Sequence, residues 1–250
     1  MYARTNSLFQ NMFAATFAFA LIMGCIAEIP SSIYTCGREK SFDQCVLSNI
    51  ESLKDKICNE GIPELNVPSA NPLILDNLVI FDTPSTKLYL KDTKVSGLCD
   101  FVVNLLHADV DNLNLNIDLT FKQIQINSTL DFNARVLVPI ITTAPFYVTS
   151  DNVGAKVNAD FTLVTKNDKK YGYISKIKTN LDIKGYELEF SNQVELNQMR
   201  DIIKNFLGNN QEEVLKTVKP ILEEVVSKQV ISLSNEILKR IPYEDIFGSA

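Results

Sequence analysis

The sequence holds few residues able to do covalent chemistry. His107 is the only histidine, and Asp109 and Asp111 follow it closely. A histidine near acids can act as a general base or polarise a bound ligand. A single histidine forbids a multi-His zinc site and allows at most one Ser–His or Cys–His pair. No spacing supplies that pair. Ser31, Ser32 and Ser48 sit in no GxSxG context, and neither a P-loop nor a GxGxxG occurs. Between Leu106 and Ala108, His107 reads as an ordinary strand-edge residue. Asp109-Val110-Asp111-Asn112 hints at a calcium loop, but its sixth position is Asn114 instead of Gly and its twelfth is not Glu. Glu212-Glu213 and Glu223-Glu224 suit helix caps or a solvated helix face. No enzymatic activity, metal or cofactor is expected.

Five cysteines remain to be placed, and their chemistry depends on compartment. Residues 1–27 carry one charge, Arg4, and an uncharged run from Met12 to Met23. That run is too short to cross a ~30 Å hydrocarbon core and suits a signal peptide. Small residues at Cys25 and Ala27 place cleavage after Ala27. A membrane anchor, or a lipoprotein signal at Gly24-Cys25, is the rival reading. Removal takes the net charge from −6 to −7 and leaves one domain, residues 28–250. Cys36, Cys45, Cys58 and Cys99 then meet an oxidising environment. Cys36 and Cys45 can close a short loop at the start of the first helix. Cys58 and Cys99 form either a second bridge or two buried thiols. Asn127-Ser128-Thr129 is a glycosylation sequon on the polar face of a strand.

The elements that must carry these residues are punctuated clearly. Ser41 and Gln44 form a capping box ahead of Phe42, Cys45, Val46, Ile50, Leu53 and Ile57, one helical face ending at Gly61 and Pro63. From Leu113 the period is two: Leu113, Leu115, Ile117, Leu119 and Phe121 alternate with Asn and Asp. The parity then changes to Ile124, Ile126, Leu130, Phe132, Ala134, Val136 and Val138, with Lys122-Gln123 as the expected turn. Further strands run through Ala155–Leu163, Tyr173–Ile183 and Tyr186–Phe190, with turns at Asn167-Asp168 and Lys184-Gly185. From Gln211 to Arg240 the period becomes 3.6 and Pro220 lies inside, after a short helix at Leu196–Leu207. Asn210 can cap the long helix. A long apolar helix and a long one-faced antiparallel sheet satisfy each other if the sheet wraps the helix, an α+β architecture.

Composition agrees and excludes other classes. Hydrophobic residues make 46% and charged residues 22%, too apolar for a disordered chain. With 24 Lys+Arg against 30 Asp+Glu, the chain lacks the basic excess of a nucleic-acid binder.

Cys36-(x8)-Cys45, then Gly61-Ile62-Pro63-Glu64-Leu65-Asn66-Val67-Pro68 and Pro72-Leu73, resembles the N-terminal signature of the takeout/juvenile-hormone-binding family of insects. Val95-Ser96-Gly97-Leu98 followed by Val110–Leu119 is similar to its central region. Lys219-Pro220-Ile221 and Ile241-Pro242-Tyr243-Glu244-Asp245-Ile246-Phe247 are similar to its closing helix and tail. The resemblance spans Cys36–Phe247 and marks a divergent member, without the Trp usual before the last helix. It implies a tubular lipid-binding (TULIP) fold with an internal apolar tunnel. It also implies a secreted, monomeric carrier of a small hydrophobic ligand such as a juvenile hormone, terpenoid or fatty acid. The expected lining is Leu115, Ile117, Leu119, Ile126, Leu130, Phe132, Val136, Phe161, Ile177 and Leu181 on the sheet, with Leu215, Val218, Leu222 and Val226 on the helix. The alternative is a secreted interaction protein of the same fold, docking a cell-surface receptor or a membrane with its tunnel collapsed. Stable membrane insertion and nucleic-acid partners are not expected.

Overall fold

A computed structural model describes Cys36 and residues 42–63, 67–84, 86–135, 139–191, 205 and 208–247. The leader at 1–27, the cap Ser41, Glu64-Leu65-Asn66, Val136 and nearly all of the helix expected at Leu196–Leu207 lie outside these residues.

Helix α1 spans Phe42–Asn59 and buries Phe42. It ends where Gly61 takes φ +75° and its N–H bonds to the Lys56 carbonyl. Only a residue without Cβ tolerates both that angle and the Val67 carbonyl pressed against it. Ile62 and Val67 then exchange backbone hydrogen bonds. With Ile241 they form a small buried cluster, packed by Leu53 and Ile57 of α1 and by Ile237.

Seven antiparallel strands make one sheet: β1 (Leu73–Asp82), β2 (Thr86–Ser96), β3 (Phe101–Asp109), β4 (Asn114–Arg135), β5 (Pro139–Lys166), β6 (Lys169–Asp182) and β7 (Glu187–Phe190). The order is β1-β2-β4-β5-β6, with β3 also on β4 and β7 also on β5. β1 to β3 precede the first strand expected from alternation. Their pattern is obscure because β1 carries apolar side chains on both faces, Ile74 and Val79 being exposed. Asp92, at φ +51°, also breaks the alternation of β2.

Lys122-Gln123 is not a turn. β4 runs through it as one 22-residue strand, paired to the 28-residue β5 without a register shift. The parity change is real and shared. On β5 the buried set passes from Ala144, Phe146 and Ser150 to Val153, Ala155 and Ala159, across Asn152 at φ +52°. The flanking strands break at the same level. β2 ends at Ser96 opposite Gln125, and β3 begins at Phe101 opposite Phe121. β6 ends at Asp182 opposite Gly154, and β7 resumes at Glu187 opposite Thr149. Lys184-Gly185 is therefore no hairpin, since β6 and β7 lie end to end along β5. A transverse crease divides the sheet, and each long strand shifts its inward set by one residue there. Asn167-Asp168, both at positive φ, does make the β5–β6 hairpin turn.

Helix α2 (Gln211–Leu238) continues unbroken through Pro220. Asn210 sits at its N-cap without a side-chain cap bond. The helix lies along edge strand β6 and reaches β1, the opposite edge, so the sheet wraps it. Its polar side chains satisfy the β6 edge. Glu223 Oε1 accepts the Leu181 N–H at 2.8 Å, and Asn235 Oδ1 accepts the Ile174 N–H at 2.8 Å. Ser227 Oγ donates to Thr179 Oγ1 at 2.8 Å. Glu223 is thus an edge cap, not part of a solvated face; Glu224 is, paired with Lys228. Beyond Leu238, Pro242 bridges to Tyr171, and the short helix α3 (Tyr243–Phe247) starts with a buried Tyr243.

The crease depends on Gly97, at φ +88° between β2 and β3, where a Cβ would collide with the Gln123 carbonyl. Gly97→Ala should lower stability by about 3 kcal/mol, roughly 6–12 °C in Tm. Gly208→Ala, facing open space, should shift Tm little. Thermal unfolding followed by circular dichroism checks the contrast; equal shifts would refute it.

Candidate ligand-binding cavity

The end of the roll that holds α1 encloses a cavity of about 400 Å3. α1 supplies one wall with Phe42, Val46, Ile50, Leu53 and Ile57, the apolar face that its sequence spacing creates. The β3–β4 turn supplies Ala108, Val110, Leu113 and Leu115. The β5–β6 hairpin supplies Phe161, Leu163 and Gly172, and Leu238 and Tyr243 close the base. The surface is almost wholly apolar, and the volume falls in the ~300–1,000 Å3 range of small-molecule sites.

Four ties hold α1 over this space. Asp43, in its first turn, accepts the Ala108 N–H at 2.8 Å and contacts His107 Nδ1 at 3.2 Å. The disulfides Cys36–Cys45 and Cys58–Cys99 fix its two ends, the second to the β2–β3 connection. Ser69 Oγ donates to the Cys58 carbonyl at 2.8 Å.

Four polar residues reach the wall, and three are already engaged. Asn49 Nδ2 donates to Cys36 Sγ at 3.3 Å. Asn114 donates to Asp160 at 2.7 Å and accepts from Asn116 at 2.8 Å. Asp109 accepts from the side chain and backbone of Asn112, which hold its carboxyl below the ordinary carboxylate value. Those bonds make the acidic run a turn, and no group of three or more potential metal ligands occurs among the described residues. Lys54 differs. Its Nζ lies 4.5 Å from the Phe101 ring centre and 3.4 Å from the Phe101 carbonyl, with no carboxylate in ion-pair range among the described residues. His107 stays exposed beside Asp43.

Of the expected lining, Leu115 and Phe161 lie on this wall. Ile117 and Leu119 continue along β4, and Ile126, Leu130 and Phe132 lie beyond the crease, all half-buried. Ile177 is half-buried and Leu181 buried on β6. Leu215, Val218, Leu222 and Val226 are half-buried on α2, none of whose residues is fully buried. Val136 is outside the described residues. Alternation alone could not find the α1 wall, since an apolar helical face reads the same whether it packs or lines. The signal available was two cysteines, Cys45 and Cys58, bracketing that face. Asn127 is exposed on the outer face of β4, while Ser128 is 2% exposed and bonded to Thr93 at 2.8 Å.

A long helix wrapped by one curved antiparallel sheet, with an apolar cavity at the end, is the TULIP fold. The family model described as haemolymph juvenile hormone binding protein matches residues 12–248, and the chain belongs to that family. The crystal structure of Epiphyas postvittana Takeout 1 shares the fold, with a TM-score of 0.70 at 18% identity, covering 87% of this chain and 100% of that one. The crystal structure of lipopolysaccharide binding protein is more distant, with a TM-score of 0.37 at 9% identity over 78% of this chain and 39% of that one. No curated protein matches the sequence.

The ties differ in reach. Cys58–Cys99 closes a separation of 41 residues and Cys36–Cys45 one of 9. Chain entropy assigns them about 4 and 2.5 kcal/mol respectively. Cys58→Ser/Cys99→Ser should therefore lower Tm more than Cys36→Ser/Cys45→Ser, and amide exchange in α1 should rise in both. The reverse order in calorimetry would refute this account.

Proposed function

We propose that this protein is a secreted carrier that holds one small hydrophobic molecule in the cavity beneath α1. The observation that carries this reading is the 400 Å3 apolar volume kept open inside a roll whose helix buries none of its own residues. A ligand entering it gains ~25 cal/mol for each Å2 of apolar surface withdrawn from water. An open volume also favours carriage over docking with a collapsed tunnel. Residues 1–27 act as the signal peptide, and the disulfides agree with an oxidising destination. No described helix is long and apolar enough to cross a membrane. The protein works as a monomer and Asn127 is available for a glycan. From Leu115 and Phe161 the ligand's chain runs on along Ile117, Leu119 and Ile177 toward α2.

Lys54 supplies the selectivity. It is a cation without a carboxylate partner on an apolar wall, so a ligand ending in a carboxylate is preferred over its neutral ester. Native mass spectrometry of the secreted protein, followed by lipid extraction, should show one bound molecule per chain; an empty protein would sink the carrier reading. Lys54→Met should weaken binding of a long-chain fatty acid on the order of tenfold and leave its methyl ester unaffected. Equal loss for acid and ester would rule out the role of the charge.

A further inference from the structure

The β5–β6 hairpin leaves the sheet. β4 pairs with β5 only as far as Asp160, so from Phe161 to Lys166 the single strand partner of β5 is β6. Thr162 to Lys170 are all exposed, a two-stranded arm tied back to the body where Tyr171 bridges to Pro242. This arm is basic in an acidic protein. Lys166, Lys169 and Lys170 occupy its tip, and Lys176 and Lys178 lie at its root, against one acid, Asp168, in the turn. Asp160, at the root, is bonded to Asn114. Among the described residues, none of the five lysines has an ion-pair partner. Apolar groups are interleaved with them: Val164 is 53% exposed, Tyr173 48% and Leu163 36%. Leu163 also lines the cavity, so the arm is rooted in the cavity's wall.

We propose that this arm docks the protein on a bilayer containing anionic phospholipid and brings the cavity wall at Leu163 to the membrane surface. The chemistry matches both layers of such an interface. Lysines meet lipid phosphate and carboxylate groups, while Val164 and Tyr173 enter the headgroup–acyl boundary, where amphipathic aromatic rings settle. The net negative charge of the chain does not oppose this, because charges farther than the ~10 Å screening length contribute little. A polyanion such as RNA would use the lysines but has no use for exposed Val164 and Leu163. The docking itself needs no ligand, so it stands or falls apart from the carrier reading; only loading past the Leu163 wall rests on that reading.

Cosedimentation of the full secreted protein with vesicles provides the test. Binding should occur on phosphatidylcholine vesicles containing phosphatidylserine, weaken with salt, and be lost on phosphatidylcholine alone. At roughly fivefold per lysine, K166Q/K169Q/K170Q should lower the binding constant about a hundredfold. Its bound-lipid mass in native spectra should remain that of the wild type. Val164→Ser should lower binding several-fold without changing the salt dependence. A control on β2 and β4, K87Q/K94Q/K122Q, should bind as wild type. Equal binding to both vesicle types, an unaffected tip variant, or an equally impaired control would overturn the proposal. So would retention on RNA without vesicle binding.

Discussion

One unbroken ladder holds this protein together. β4 and β5 pair from Asn114–Asp160 to Arg135–Pro139 without slipping, although both strands change their inward-facing set midway. Neither strand could change alone, because a one-residue slip on one partner would turn every later side chain of that partner to the wrong face. The paired change at Lys122 and Asn152 therefore fixes where all other strands end. β2 gives way to β3 and β6 to β7 at the same crease. The two halves of the roll can curve differently while sharing two continuous strands.

The rolled sheet has two edges, and each is a row of unpaired backbone groups. α2 answers this with side chains rather than with a strand: Glu223 and Asn235 bond the backbone of β6 and Ser227 bonds Thr179. A helix that holds an edge through polar tips is kept at the distance those tips set. Its apolar stripe consequently stays half-buried, and Ile62, Val67 and Ile241 pack as a buried cluster at one end. The cavity is what remains between that cluster, α1 and the sheet.

The residue patterns made much of this legible. α1 appears at the residues its period and Gly61 stop define, and the long helix follows its 3.6 repeat across Pro220. The antiparallel roll about a helix follows from alternation in the middle of the chain. The parity change at Phe121–Ile124 was equally visible, but a local pattern cannot separate a turn from a crease. Only the matching change on the partner strand decides, and pairing is a long-range fact. β1 escaped because its apolar residues face both ways. The cavity wall on α1 escaped because lining and packing demand the same side chains; the difference lies in what stands opposite.

Enclosure raises a kinetic difficulty that the arm's position answers. A ligand burying roughly 300 Å2 of apolar surface gains ~7 kcal/mol, and all of it is lost if the molecule must leave through water. Lifting α1 is a poor alternative, since Cys58–Cys99, Cys36–Cys45 and the Asp43–Ala108 bond all oppose it. The wall at Leu163 carries no disulfide: it belongs to a hairpin with no further strand beside it, held by the Tyr171–Pro242 bridge alone among the described backbone pairings. Exchange at that point, against another apolar phase, avoids exposing the ligand to water and leaves the helix in place. The least constrained wall is thus also the one bearing unpaired lysines and exposed Val164 and Tyr173, so the route of lowest resistance and the surface suited to a bilayer coincide.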